Sequence, residues 1–245
     1  MKNNAISLLC MILVSTAWPV FSQDGNELLK RIDEKLMPES YESYRKLVNI
    51  EPNGKKKEFI VYTIKKKKIN VAMLFLAPAS EKGRTTLRLG ENMWLYIPNV
   101  GKPIRITSLQ SVTGGVFNNA DIMLVDYSAE YNVQKLAETE TGYILELKAK
   151  SKAVAYDKLK MWAMKDETLE KIECYSASGM LIKTLEFKEI KDFGNGLVTP
   201  SVVETVSQLY KGYRSLMIYS RIESREFKDE IFTMNFMAKL EGLLK

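Results

Sequence analysis

Two kinds of side chain in this sequence could carry covalent or proton-transfer chemistry, the carboxylates and a cysteine. Neither stands in a pattern that does so. Acid and base carboxylates work as a pair held at a fixed separation across a cleft. The acidic residues here instead accompany lysines along alternating runs, as Glu146 does Lys148 and Glu186 does Lys188, which is the composition of a solvated strand face. The chain has no histidine, and this excludes Ser-His-Asp and Cys-His nucleophilic sites and nearly every zinc site built on imidazole. No glycine-rich phosphate loop leads from a strand into a helix, and no calcium loop of alternating Asp and Asn occurs. Cys174 lies in the alternating run Leu169 to Tyr175, on the same face as Ile172, where a free cysteine reads as a small buried hydrophobe. These residues predict no enzyme, with no catalytic residue, metal or cofactor.

The apolar residues say more. In 69–77, Ile69, Val71, Met73 and Phe75 alternate with Ala72, Leu74 and Leu76. In 92–97, Met93, Leu95 and Ile97 alternate with Trp94 and Tyr96, and in 158–164 Leu159 and Met161 oppose Trp162 and Met164. A one-sided core needs only one apolar face. The second either lines a lipid-sized hollow or is itself packed by helix and loop, and the pattern leaves both readings open because pocket and core linings use the same residues. Of the twelve methionines, Met1 and Met11 fall in the first 22 residues and ten remain. Their flexible, polarizable side chains suit a surface that accepts varied apolar ligands.

The elements that must position these residues follow from periodicity. Asn26 is placed to cap a helix whose Leu28, Leu29, Ile32, Leu36 and Met37 keep helical spacing, with Pro38 as the stop. From Tyr41 the period changes to two, predicting strands over 41–51, 57–65, 68–77, 84–90, 92–98, 103–107, 132–139, 142–149, 158–165, 168–175, 180–190, 198–210 and 213–227. Asn53-Gly54, Thr141-Gly142, Ser178-Gly179, Asn195-Gly196 and Lys211-Gly212 mark turns between them. Short strands at regular spacing without intervening helices describe an antiparallel meander, and its edges must close or be covered. The available covers are the first helix, the irregular segment 108–128, and the tail from Asp229, which sets Phe232, Phe236, Leu240 and Leu243 on one helical face. The predicted fold is mainly β, an antiparallel half-open β barrel with a few helices across its concave side. Within 108–128, Gly114-Gly115 precede Phe117, Ile122, Met123 and Leu124. The glycine pair serves either the hinge of a flap over the hollow or a tight turn in a fixed plug.

The start of the chain carries Lys2, an apolar run from Ala5 to Val14, Ser15 and Thr16, and then Trp18-Pro19, the order of a secretory signal. The run is short of the roughly 20 residues of a membrane span. Val20 and Ser22 suit the −3 and −1 positions, so cleavage is expected between Ser22 and Gln23, leaving 23–245 as a single domain. Cys10 does not read as a lipid-anchor site, since Leu9 precedes it and the apolar run continues past it. Removing 1–22 leaves Cys174 alone, so no disulfide forms within the domain. The net charge of +6 becomes +5 on loss of Lys2. Beyond the cytoplasmic membrane this mild excess speaks to solubility or to anionic lipid head groups and not to nucleic acid. The lysine runs Lys55 to Lys57 and Lys65 to Lys68 bracket the strand between them. They either protect that strand against self-pairing or touch a membrane with one end at a time.

One stretch resembles a known family. Gly90-Glu91-Asn92-Met93-Trp94-Leu95-Tyr96-Ile97-Pro98, followed by Lys102-Pro103-Ile104-Arg105-Ile106, is similar to the W-x-Y-x-P … R-x-I signature of outer-membrane lipoprotein-sorting-like proteins, the group that includes LolA, LolB and RseB. Gly114 to Ile122 resembles that family's G-S-D-F-x-x-x-D-L segment, with Gly114, Phe117 and Asp121 in place and Gly115 and Val116 standing where Ser and Asp are usual. Lys160-Met161-Trp162, Glu170 to Lys188 and Val198-Thr199-Pro200 extend the likeness over about 41–235. The resemblance implies a half-open barrel whose apolar cavity shelters lipid or lipoprotein acyl chains in the periplasm, between an inner-membrane transporter and an outer-membrane acceptor. It implies alternatively an RseB-like sensor using the same cavity. On this reading Met73, Phe75, Trp94, Tyr96, Trp162 and Met164 are the lipid-binding candidates, and Gly114, Gly115, Phe117 and Asp121 form the loop motif over them.

Overall fold

The computed structural model describes residues 24–111 and 113–244, and the predicted signal at 1–22 lies outside them. Helix α1 spans Gly25–Leu36 and is capped by Asp24, not by Asn26 as the sequence predicts. The cap side chain must reach an N–H two or three residues on, and Asp24 does so, accepting from the Asn26 backbone at 2.9 Å. Asn26 is used elsewhere: its side-chain oxygen accepts from the Val133 N–H at 3.0 Å, fastening the helix to a strand. Leu28, Leu29, Ile32 and Leu36 form the buried stripe.

The thirteen predicted strands are all present: β1 (Tyr41–Ile50), β2 (Lys56–Lys66), β3 (Asn70–Ala77), β4 (Thr85–Leu89), β5 (Asn92–Tyr96), β6 (Ile104–Ile106), β7 (Tyr131–Glu138), β8 (Gly142–Ala149), β9 (Lys158–Met164), β10 (Leu169–Tyr175), β11 (Leu181–Asp192), β12 (Val198–Ser207) and β13 (Arg214–Ser224). They form one sheet in the order β6-β5-β4-β3-β2-β1-β13-β12-β11-β10-β9-β8-β7. First and last strands therefore pair at the centre, Tyr41 opposite Ser224 and Ile50 opposite Arg214, and the barrel stays open between β6 and β7. The chain walks outward from the centre over six strands and must then cross to the far edge. Residues 107–130 make that crossing, with the short helices α2 (Asn119–Ile122) and α3 (Tyr127–Glu130) on the way.

One apolar cluster joins side chains of β1–β3 and β8–β13 with α1 and with Phe117, Ile122, Met123, Val125 and Tyr127 of the crossing segment. Side chains from both halves of the sheet meet in it, so this is the concave side, covered as predicted by α1 and 108–128. The tail corrects the expectation. It runs in 3-10 turns, Asp229–Ile231 and Met234–Leu243, and lies on the opposite face of β2–β5, where Phe232, Met237 and Leu240 cover Tyr62, Ile64, Ala72, Leu74 and Leu87. The reason is topological. Because β13 ends beside β1, the chain leaving it passes over the outer face, and Arg225 fixes it there by pairing with Glu42 and donating to the Leu243 carbonyl at 3.3 Å. Burial of each such Phe, Leu or Met side chain contributes about 1.5–3 kcal/mol. The strands apolar on both faces thus serve two cores, one on each side of the sheet.

Candidate functional site

The concave side is where α1 and the crossing segment close over the sheet. Residual voids are small: one of about 20 Å³ lies among Leu36, Met37, Phe117, Leu124, Leu185, Phe187, Val203 and Met217, and another of about 20 Å³ among Tyr127, Tyr131, Tyr156, Leu159, Ile172 and Leu185. Each has room for a single water. The hollow envisaged from the sequence is filled, and what fills it is a segment of loop and two single-turn helices.

That segment is held by charged groups on strand positions whose parity faces inward. Arg45 of β1 is buried and donates to the Ile122 carbonyl at 2.9 Å and to the Thr63 hydroxyl. Beside it lie the sulfurs of Met217 at 3.1 Å and Met73 at 3.9 Å and the ring of Tyr219, 5.5 Å away. Among the described residues no carboxylate pairs with it, and its Nε has no partner. Arg88 of β4 donates to the Met123 carbonyl at 3.0 Å and pairs with Glu130. Lys65 of β2 pairs with Asp126. Lys183 of β11 pairs with Asp121 at 2.7 Å and donates to the Val116 carbonyl at 2.5 Å. Asp121 also accepts from the Tyr156 hydroxyl at 2.8 Å and from the Asn118 backbone at 2.9 Å, closing a capping box at the start of α2. Burial of these cations is offset by the carbonyls and carboxylates of one segment.

Asp33 of α1 adds a tie from above, accepting from the backbone N–H groups of Tyr127 and Ser128, each at 2.8 Å. Burial, with the Asp126 charge second, pushes its carboxyl up to about 7, against the pull of those N–H groups. The folded chain therefore holds a proton that the unfolded chain, titrating near 3.8, has released. Stability is expected to fall as pH rises from about 4 to about 7, by up to ~1.4 kcal/mol per pH unit from this group, and to level above that window. Urea unfolding of the parent and of Asp33→Asn across this range checks it: the variant should lose the slope, and an identical slope in both assigns it to another group.

The loop-motif residues lie in the segment that covers the concave face. Phe117 and Asp121 are buried. Gly115 is pressed against β1 so closely that a Cβ there would lie 1.9 Å from the Asn49 side-chain oxygen, and Gly114 takes a left-handed φ of +69°. The six lipid-binding candidates are not brought together. Met73 and Phe75 are buried on the concave side. Trp94 and Tyr96 pack against the outer cluster beneath the tail. Trp162 and Met164 also lie on the outer face: the Trp162 ring sits between Lys171, 3.7 Å from its centroid, and Lys160, at 5.1 Å, and Met164 borders an open groove of about 420 Å³ between β10 and the diverging end of β11. A second open groove, of about 560 Å³, is lined by Gln134, Glu146, Lys148, Lys158, Lys160 and Tyr175 and touches none of the six. Strand alternation explains the division, since Met73 and Trp94 sit on opposite parities of a single sheet.

Cys174 is buried among the concave residues, and burial pushes its thiol well above the ordinary range. That is the opposite of an activated nucleophile. Cys174→Ala should cost at most about 1–2 kcal/mol, the scale of a small core truncation, and leave ligand binding intact. A folded variant that binds nothing would give the thiol a role the packing does not.

A model of a family described as "uncharacterized protein" matches residues 67–239, more than half of the chain. No curated protein matches. Among solved structures, a LolA superfamily protein from Nitrosomonas europaea is 26% identical, with a TM-score of 0.79 over 87% of this chain and 99% of that one. A DUF1329 family protein from Desulfovibrio piger is 21% identical, with a TM-score of 0.75 over 87% and 97%. An outer membrane lipoprotein-sorting protein domain from Vibrio parahaemolyticus is 17% identical, with a TM-score of 0.71 over 87% and 98%. The last two likenesses are of fold. The open antiparallel sheet with its few helices is the LolA-like fold.

Proposed function

The chain belongs to the family whose model spans residues 67–239, built on the LolA-like fold, and from that premise we propose that it is a periplasmic carrier of acyl chains. Its cargo is a lipid or the lipid moiety of a lipoprotein moving toward the outer membrane. The observation that carries this reading is the way the concave face is closed. A face of Met73, Phe75, Leu145, Met161 and Ile172 is covered by α1 and by a segment that, unlike a second sheet or a long helix, is fastened through hydrogen bonds and ion pairs at named points. When the segment lifts, the tied groups on both sides meet water together in place of one another. Lifting the segment exposes an apolar trough, and an acyl chain entering it gains about 0.8 kcal/mol for each methylene removed from water. Transfer requires only that the trough open and close, so no side chain has to react. Of the sequence candidates, Met73, Phe75 and Phe117 belong to this trough.

The test is direct. The chain beginning at Gln23 is stripped of lipid, and a dansyl-labelled fatty acid is titrated into it. Blue-shifted emission that saturates at one or a few probes per chain, together with acyl lipid recovered by organic extraction of the exported protein, supports the carrier. A stripped, folded protein that leaves the probe in water overturns it.

A further inference from the structure

The two lysine runs that bracket β2 have different fates. At one end Lys65 is buried against Asp126 and Lys66 pairs with Asp229 at 2.7 Å, so the first half of that run is taken up in ion pairs while Lys67 and Lys68 stay exposed. At the other end Lys55 is exposed in the β1–β2 turn and Lys56 and Lys57 at the start of β2. Because Ile50 pairs with Arg214, this turn stands beside the β12–β13 hairpin, and a Cβ on Gly212 would lie 3.1 Å from the Pro52 side chain. The hairpin carries Leu209, Tyr210 and Tyr213, which are 51%, 67% and 40% exposed. The two tyrosine rings pack edge to face on one another, 6.4 Å between centroids, and belong to neither apolar cluster. Lys57 and Arg214 have acidic neighbours, Glu51 at 3.7 Å and Glu204 at 3.3 Å. Lys55, Lys56 and Lys211 make no ion pair among the described residues.

We propose that these two turns form a tip that docks on an anionic phospholipid surface, with Leu209 and the tyrosines in the head-group boundary and the free lysines against phosphates. Each half of the tip fits one part of such a surface. Tyrosine places an apolar ring and a polar hydroxyl on the two sides of a membrane interface, and lysines near an anionic bilayer are drawn to it within a Debye length. A protein partner would need to bury about 800 Å² on each side of a stable interface. Two adjacent turns offer far less, whereas a bilayer accepts a small protruding tip. The location bears on loading as well. Asn49 and Ser215, one residue inside the tip, hold the glycine turn of the crossing segment: Asn49 donates to the Thr113 carbonyl at 2.9 Å, and the Val116 N–H donates to the Ser215 hydroxyl at 3.0 Å. Docking therefore brings that turn to the membrane, a consequence that rests on the carrier reading, although the docking itself does not.

Sedimentation of the chain from Gln23 with vesicles tests this. The parent is expected to sediment with vesicles of equal parts phosphatidylglycerol and phosphatidylcholine, to remain in solution with phosphatidylcholine alone, and to be released by salt. Leu209→Ser with Tyr210→Ser, and separately Lys55→Glu with Lys56→Glu and Lys211→Glu, should each weaken partitioning by about tenfold or more. Both should still bind the dansyl probe in lipid-free buffer, which shows that they fold. A Tyr210→Trp variant should gain indole emission that brominated phospholipid quenches. Variants that sediment like the parent, or indole emission from Tyr210→Trp that is indifferent to brominated lipid, overturn the docking tip while leaving the carrier untouched. A parent that sediments but takes up no probe overturns the carrier and leaves the tip standing. Retention of the parent on polyglutamate as strongly as on the anionic vesicles would replace the bilayer by an acidic protein.

Discussion

Asp121→Ala is expected to destabilise the protein by about 3–5 kcal/mol, the cost of leaving a buried ion without its partner. Lys183 is 5% exposed and Asp121 3%, with 2.7 Å between them, and water does not reach the ammonium to compensate. The same substitution deprives the Tyr156 hydroxyl of its acceptor and opens the capping box at Asn118. The control is the double variant Asp121→Asn with Lys183→Met. Asn keeps its Oδ1 as acceptor for the Asn118 N–H and turns its Nδ2 to donate to the Tyr156 hydroxyl oxygen, and Met fills the lysine's path without a charge, so most of the loss should return, to within about 1–2 kcal/mol of the parent. Urea unfolding of the three proteins measures both. A single-variant loss no larger than the ~0.5 kcal/mol of a surface change would show that the crossing segment is held by its apolar side chains alone.

Arg45→Met is expected to do the opposite to stability and far more to kinetics. Arg45 is a buried cation with no carboxylate beside it among the described residues, so removing its charge relieves a desolvation penalty, and the unfolding midpoint should hold or rise. What is lost is the bond to the Thr63 hydroxyl within the sheet and, across to the segment, the bond to the Ile122 carbonyl. A hydrogen bond to a charged group is worth ~1.5–3 kcal/mol, so opening of the segment should become roughly 10- to 100-fold more frequent. Stopped-flow uptake of the dansyl probe reads that rate directly. Uptake unchanged in a variant of undiminished stability would mean that α2 is not lifted when ligand enters.

Much of this architecture is legible in the sequence, for stated reasons. Every strand is visible because alternation is strong on at least one face and turn residues separate the runs. The pairing of β1 with β13 is not visible, because it joins residues at opposite ends of the chain and no local pattern encodes it. Without that pairing the meander reads as continuous, the crossing at 107–130 looks like a mere interruption, and the tail is assigned to the wrong side. The buried charges carry a signal of their own. Arg45 shares parity with Tyr41 and Leu47, and Lys183 with Leu185 and Phe187, so each stands where an inward apolar residue belongs. A charge at such a position marks a buried polar tie. The six lipid-binding candidates are large side chains on strands apolar on both faces, a criterion that cannot tell one face from the other. It groups Trp94 and Trp162 with Met73, from which the sheet itself divides them.

The crossing segment is fastened at Ile106 to one free edge of the sheet and at Tyr131 to the other. If the chain is the carrier proposed above, this segment acts as a drawstring across the mouth of a bag. Its middle can rise to admit an occupant only by taking up length, and the length comes from drawing the two rims together. A full carrier and an empty one would then differ in the gap between β6 and β7, each of which has one side unpaired. A receiver that grips those rims could sense fullness by touch, without ever meeting the cargo.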